Sequence, residues 1–167
     1  VNAALAAAAL APGLAIGSFL NVLAARVPLR RSVVRPRSAC MSCGSELAWH
    51  DNIPLVSYLF LRGRCRTCGT RISLLYPAVE LTAALLIAAC VWKFGLSGRA
   101  AVAAFFCAVL VAVTATDLTH RIIPNRIVVP AAIVVLLAQT ALEPRPEWAL
   151  AAFGAGRFSL DGRGDNA

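Results

Sequence analysis

Residues 40–69 read CMSCGSELAWHDNIPLVSYLFLRGRCRTCG, two Cys-x-x-Cys pairs set in a chain that is otherwise mostly apolar. Each pair runs straight into a glycine, as CMSCG and CRTCG, the pattern of a tight knuckle whose backbone amides approach the sulfurs. Twenty-one residues separate Cys43 from Cys65. Two such knuckles supply four sulfurs in a tetrahedron, the geometry of a closed structural zinc site, at a spacing just beyond the usual range for paired C-x2-C units. The predicted ligands are Cys40, Cys43, Cys65 and Cys68. Two disulfides are the rival arrangement and need an oxidising compartment. Thioredoxin-like redox chemistry would need a βαβ unit, and none surrounds either pair.

The surrounding composition decides between them. The 167 residues are 59% hydrophobic and only 14% charged, with a mean hydropathy of +0.74. Soluble domains carry about a quarter charged residues, so the deficit points to a bilayer. The net charge is +8, but the basic residues sit between apolar stretches, where a membrane protein keeps its topology signals. That placement argues for no nucleic acid partner.

Residues 1–25 carry no charge and exceed the ~20 residues that a spanning helix needs. A secretory signal peptide is the competing reading, but no basic n-region precedes the apolar run. Residues 26–75 form a polar insertion with nine of the sixteen basic residues and two acidic ones, Glu46 and Asp51. Three further apolar stretches follow at 76–92, 100–116 and 127–142, each close to spanning length. The predicted fold is therefore an all-α membrane protein of about four transmembrane helices with a small zinc-clamped cytoplasmic loop domain. Residues 143–167 form a short tail that becomes Gly-rich and polar from Gly154 onward.

The positive-inside rule orients the chain. Residues 26–75 fall in the cytoplasm and the amino terminus outside, with 117–126 inside and 143–147 outside. A reducing cytoplasm favours zinc over disulfides. A loop of this size builds a poor core, and metal binding supplies the missing folding energy. The zinc is thus read as structural. His50 and His120 lie off the ligand spacing, and Cys90 and Cys107, inside apolar runs, read as small buried hydrophobes.

Asp117 ends the otherwise uncharged run FFCAVLVAVTATD at 105–117. An ionisable group at a membrane helix end is a functional hypothesis by default. Capping of the next turn, or pairing with Arg121 one helical turn on, is the plain alternative.

Several stretches in order resemble the prepilin peptidases: GSFLNVLAARVP at 17–28, RSACMSCGSELAWHDNIPLVSYLFLRGRCRTCG at 37–69, ISLLYPAVELTAA at 72–84 and TDLTHRIIPN at 116–125. These are membrane aspartyl peptidases of the GxGD type that mature type IV prepilins and pseudopilins in the bacterial inner membrane. The resemblance implies two catalytic aspartates from different helices, and Asp117 matches the first. It implies cleavage of the leader after a glycine. It also implies N-methylation of the new amino terminus with S-adenosylmethionine. Asn21 and Glu80 match the family too, either for the methyl transfer or as helix-packing and interface hydrogen bonds. The anionic inner leaflet is the expected partner of the basic loop.

The only Gly-x-Gly-Asp in the chain is GRGD, so the resemblance implies Asp165 as the second aspartate, with Asp161 a weaker stand-in; the alternative is that GRGD is a coincidence of a Gly- and Asp-rich tail. Here the sequence departs from the family pattern, in which a full spanning helix precedes these glycines and an apolar run follows the aspartate. The eighteen residues WALAAFGAGRFSLDGRGD would cover about 27 Å as unbroken helix, against ~30 Å of hydrocarbon. The tail therefore reads as truncated or divergent. The alternative function is a non-catalytic, zinc-binding membrane protein related to the peptidases.

Overall fold

The computed structural model describes residues 2–121 and 125–142. Among them the chain is helical: α1 (Asn2–Arg26), α2 (Val56–Phe60), α3 (Leu75–Phe94), α4 (Gly98–His120) and α5 (Asn125–Leu142). A 3-10 turn occupies Trp49–Asn52. Extended pairing among the described residues is confined to two isolated antiparallel bridges, Ala39 with Glu46 and Arg64 with Arg71. Four helices, α1, α3, α4 and α5, are long and apolar enough to cross a membrane.

Each long helix starts and stops where local chemistry dictates. Pro77 falls in the first turn of α3, where its missing N–H costs nothing. Before α4, Ser97 Oγ accepts the Ala100 N–H at 3.2 Å, a cap that satisfies one orphan donor. The helix then runs to His120 and ends on Arg121 in the left-handed region, whose N–H bonds Asp117 O. It is longer than the apolar run 100–116, because polar Thr116 and Thr119 return their hydroxyls to the backbone at Ala112 and Ala115. Asp117 thus lies in the last turn of a helix rather than in a loop.

Packing begins with α1 against α3. A Cβ placed on Gly13 would lie 2.7 Å from Ala84 Cα, and one on Gly17 would lie 2.6 Å from Glu80 Cα. The two glycines are four apart, as GLAIG at 13–17, the spacing that lets membrane helices meet backbone to backbone. At the other end of this pair, Asn2 Nδ2 donates to Trp92 O at 3.2 Å. Helix α4 joins them through a core of Leu20, Ala24, Val79, Ala83, Val111, Ala112 and Ala115. Helix α5 packs chiefly on α4 among the described residues, and Ala131 is its one buried residue among those described. Large apolar side chains such as Phe19, Leu85 and Leu137 are exposed, as expected of a surface solvated by lipid rather than water.

The antiparallel order brings the end of α1, the start of α3 and the end of α4 to one end of the bundle, here termed the loop end. The segment between α1 and α3 sits there and carries the cysteines.

Candidate metal centre and adjoining cavity

The two cysteine knuckles are built alike, residue for residue. Gly44 N–H bonds Cys40 O at 2.9 Å, and Gly69 N–H bonds Cys65 O at 2.9 Å. Both glycines have φ of +70, a conformation that carries a penalty for any side chain. Cys40 N–H then bonds Ser45 O and Cys65 N–H bonds Thr70 O, at 2.9 and 2.8 Å. The hydroxyl that follows each glycine meets the second sulfur of its pair, Ser45 Oγ with Cys43 Sγ at 2.9 Å and Thr70 Oγ1 with Cys68 Sγ at 3.3 Å. The sequence unit is therefore C-x-x-C-G-[S/T], present twice and folded twice.

The knuckles face each other. Ligand atoms of Cys40, Cys43, Cys65 and Cys68 all lie within 4.8 Å of one another, a cluster able to hold a metal ion, and all four are free thiols. Zinc–sulfur bonds of ~2.3 Å in a tetrahedron place the sulfurs about 3.8 Å apart. Cys40 Sγ and Cys68 Sγ lie 3.8 Å apart, so the donor set fits zinc with little adjustment. Local dipoles favour thiolates. The Cys68 and Thr67 amides lower Cys65 below the ordinary thiol value, and the hydroxyls of Ser45 and Thr70 do the same for Cys43 and Cys68. The Cys43 and Ser42 amides act on Cys40 in the same sense, yet burial and its bonds to the Cys65 and Cys43 sulfurs leave it raised. Four thiolates this close would need a cation at their centre.

A second set of contacts ties the module to the bundle. Arg66, inside the second knuckle, grips Asp51 with Nε at 3.1 and 3.0 Å from the two carboxylate oxygens and an Nη at 2.6 Å. The Asp51 side chain is 6% exposed, and the Arg66 guanidinium holds its carboxyl below the usual range. Four residues on, Leu55 adopts φ +57 and points its N–H at Glu80 Oε2 of α3, 2.8 Å away. Asn21 of α1 donates to Tyr76 O of α3 at 3.0 Å, and Arg26 donates to Ser32 O and Arg37 O. The segment DNIPL at 51–55 is thus a strap from the metal cluster to α3.

Between module and helices lies a cavity of about 460 Å³, reaching from Cys40 and Cys65 to Asn21, Tyr76 and Glu80. This volume is within the range of cofactor pockets. Arg26, Arg71, Tyr58 and Tyr76 also line it.

The sequence-derived site residues fall into three groups. The four cysteines converge as expected. Asn21 and Glu80 both face the cavity; Asn21 makes the hydrogen bond between α1 and α3, and Glu80 accepts the Leu55 N–H of the strap. Asp117 is exposed in the last turn of α4 at the loop end, and no ion pair joins it to Arg121 among the described residues. Asp161 and Asp165 lie outside the described residues. Sequence reasoning missed the Asp51–Arg66 grip and the Leu55–Glu80 bond, which join residues 15 and 25 positions apart.

Comparisons with known proteins complete the picture. Residues 12–94 match the bacterial peptidase A24 N-terminal domain, and residues 104–160 match the type IV leader peptidase family. The chain is similar to the prepilin leader peptidase/N-methyltransferase of Myxococcus xanthus, 52% identical over 118 residues, covering 71% of this chain and 35% of that protein. The Bacillus subtilis protein of the same name is 39% identical over 143 residues, covering 86% of this chain and 57% of the relative. A type 4 prepilin-like proteins leader peptide-processing enzyme of Escherichia coli is 40% identical over 133 residues, covering 68% and 49%. The chain thus spans from about a third to a little over half the length of these relatives. No solved structure matches it.

Proposed function

This multi-pass membrane chain belongs to the type IV leader peptidase family, and from that premise we propose that it cleaves the leader of type IV prepilins or pseudopilins after a glycine, at the cytoplasmic face of the bacterial inner membrane. The observation that carries the reading is Asp117, a carboxylate in the last turn of a membrane-length helix, at the end where the cysteine module sits. With the amino terminus outside, that end and residues 26–75 are cytoplasmic, where a leader's charged part stays while its apolar part remains in lipid. The nine basic residues of the segment favour the anionic leaflet by roughly 1 kcal/mol for each one near the surface.

Hydrolysis by paired aspartates needs one carboxylate charged and one protonated, since two close carboxyls share a proton. The charged one draws a proton from water as the other donates to the scissile carbonyl. Asp117 fills one role and Asp165 the other. Zinc, held by Cys40, Cys43, Cys65 and Cys68, supplies folding energy to the module.

Methylation of the new amino terminus is the second half of the proposal. S-adenosylmethionine supplies an electrophilic methyl group when bound. The cavity beside the cysteines fits it in volume and in polar lining, with Arg26 and Arg71 for its carboxylate and Tyr58 and Tyr76 for its nucleoside.

The test is cleavage of a prepilin by the purified chain in nanodiscs. Asp117→Asn and Asp165→Asn should each slow it by at least ~100-fold while leaving zinc content unchanged. Cleavage unaffected by both changes would sink the aspartyl mechanism. No cleavage by the parent chain would support the non-catalytic zinc-binding reading instead.

A further inference from the structure

Resting on the methylating half of that reading, we propose that Glu80 is the group that receives the free α-amine of the processed substrate, inside the cavity between the cysteine module and helices α1 and α3. Two carboxylates line this cavity, Asp51 and Glu80. Asp51 is already neutralised by Arg66. Glu80 is 9% exposed, and the groups that hydrogen-bond it are uncharged, the Leu55 N–H at 2.8 Å and the Ser18 side chain of α1. No basic side chain lies within ion-pair distance of it among the described residues. A buried carboxylate without a cation is costly, and one on a membrane-length helix marks a site. The strap is bent to serve it, since Leu55 holds a φ of +57 that branched side chains rarely adopt. Such strain gathers at functional positions.

An α-amine with a pKa of ~7.7–8.0 is mostly ammonium at neutral pH and lacks the lone pair that methyl transfer needs. Glu80 binds the ammonium and takes one proton, passing it to water. The amine nitrogen then forms its bond to the sulfonium methyl group. The methyl–sulfur bond breaks with its electron pair staying on sulfur, which leaves as the neutral thioether. The position suits the order of events. Val79, beside Glu80, shares a core with Ala115, two residues from Asp117, so the amine is released and captured at the same end of the bundle.

The test is calorimetric binding to the chain in nanodiscs, with a synthetic peptide of a processed pilin amino terminus, its amine free or acetylated. The parent chain should prefer the free amine by ~10-fold or more, the worth of a charge-assisted hydrogen bond. Glu80→Gln should abolish that preference. Gln keeps a carbonyl acceptor for the Leu55 N–H, and unchanged zinc content and thermal midpoint would show that the fold survives. Unchanged preference in Glu80→Gln overturns the proposal, as does equal weakening of both peptides. Titration of S-adenosylmethionine alone should be the same for both proteins. A loss confined to that titration would place the cation site at the sulfonium and overturn the amine assignment. If Glu80→Gln removes the preference while the parent chain transfers no methyl group, the amine site stands and the methylating reading fails.

Discussion

Asp51 and Arg66 form the contact on which the strap depends, and its acid response follows from one carboxyl. The Arg66 guanidinium holds Asp51 below the usual ~3.9, so the folded state favours the charged form. A carboxylate depressed in the folded state contributes stability above its unfolded pKa and loses it as pH falls through the folded one. Asp51→Asn should therefore lower the thermal midpoint of the module at pH 7, read by tryptophan fluorescence, with the gap narrowing as pH falls below the unfolded value of ~3.9. Metal loss in acid is common to both proteins and cancels in the difference. A gap that does not narrow at all as pH falls below that value would mean the contact is not ionic. The cysteines were legible because four sulfurs at regular spacing announce one chemistry. Glu80 stood out only through the family resemblance, and the partners of Asp51 and Glu80 were not legible, being distant in sequence and, for Glu80, a backbone amide that no residue type reveals.

At the scale of elements, four helices were readable from apolar length alone, because spanning a bilayer demands it. Their ends were read less well. Thr116 and Thr119 look like a polar stop, yet each bonds its own helix and lets α4 run to His120. The five-residue α2 carries no periodic signal long enough to notice. The close crossing of α1 and α3 was hidden in GLAIG, whose meaning depends on a partner face at Glu80 and Ala84. Gly17→Leu should cost about 1–3 kcal/mol by overpacking, because the new side chain meets backbone at 2.6 Å. Gly98→Ala is the contrast. Among the described residues the atoms nearest its Cβ are the tip of Leu142, which can swing aside, so stability should change little. Reversible unfolding in micelles measures both, and equal losses would contradict the crossing.

The molecule as a whole is a bundle capped at one end by a small module in which Cys65 is the one buried hydrophobic residue among those described. The knuckles form a cluster able to hold a metal ion, Arg66 ties the second knuckle to the strap, and Leu55 ties the strap to Glu80. The cavity exists only while that chain of contacts is intact. Removing the metal should accordingly free the module and cost the chain its preference for a free amine, while the long helices keep their far-ultraviolet dichroism. Sequence showed both halves of this arrangement, the oily helices and the sulfur pairs, but not the strap that couples them. The most direct test is the zinc content of protein purified without added metal, measured together with alkylation of its loop thiols in native membranes. One zinc per chain, with Cys40, Cys43, Cys65 and Cys68 unreactive until a chelator is added and then labelled from the cytoplasmic side, is the expected result. Metal-free protein with these cysteines oxidised to one another, or thiols labelled from the outer side, would contradict it.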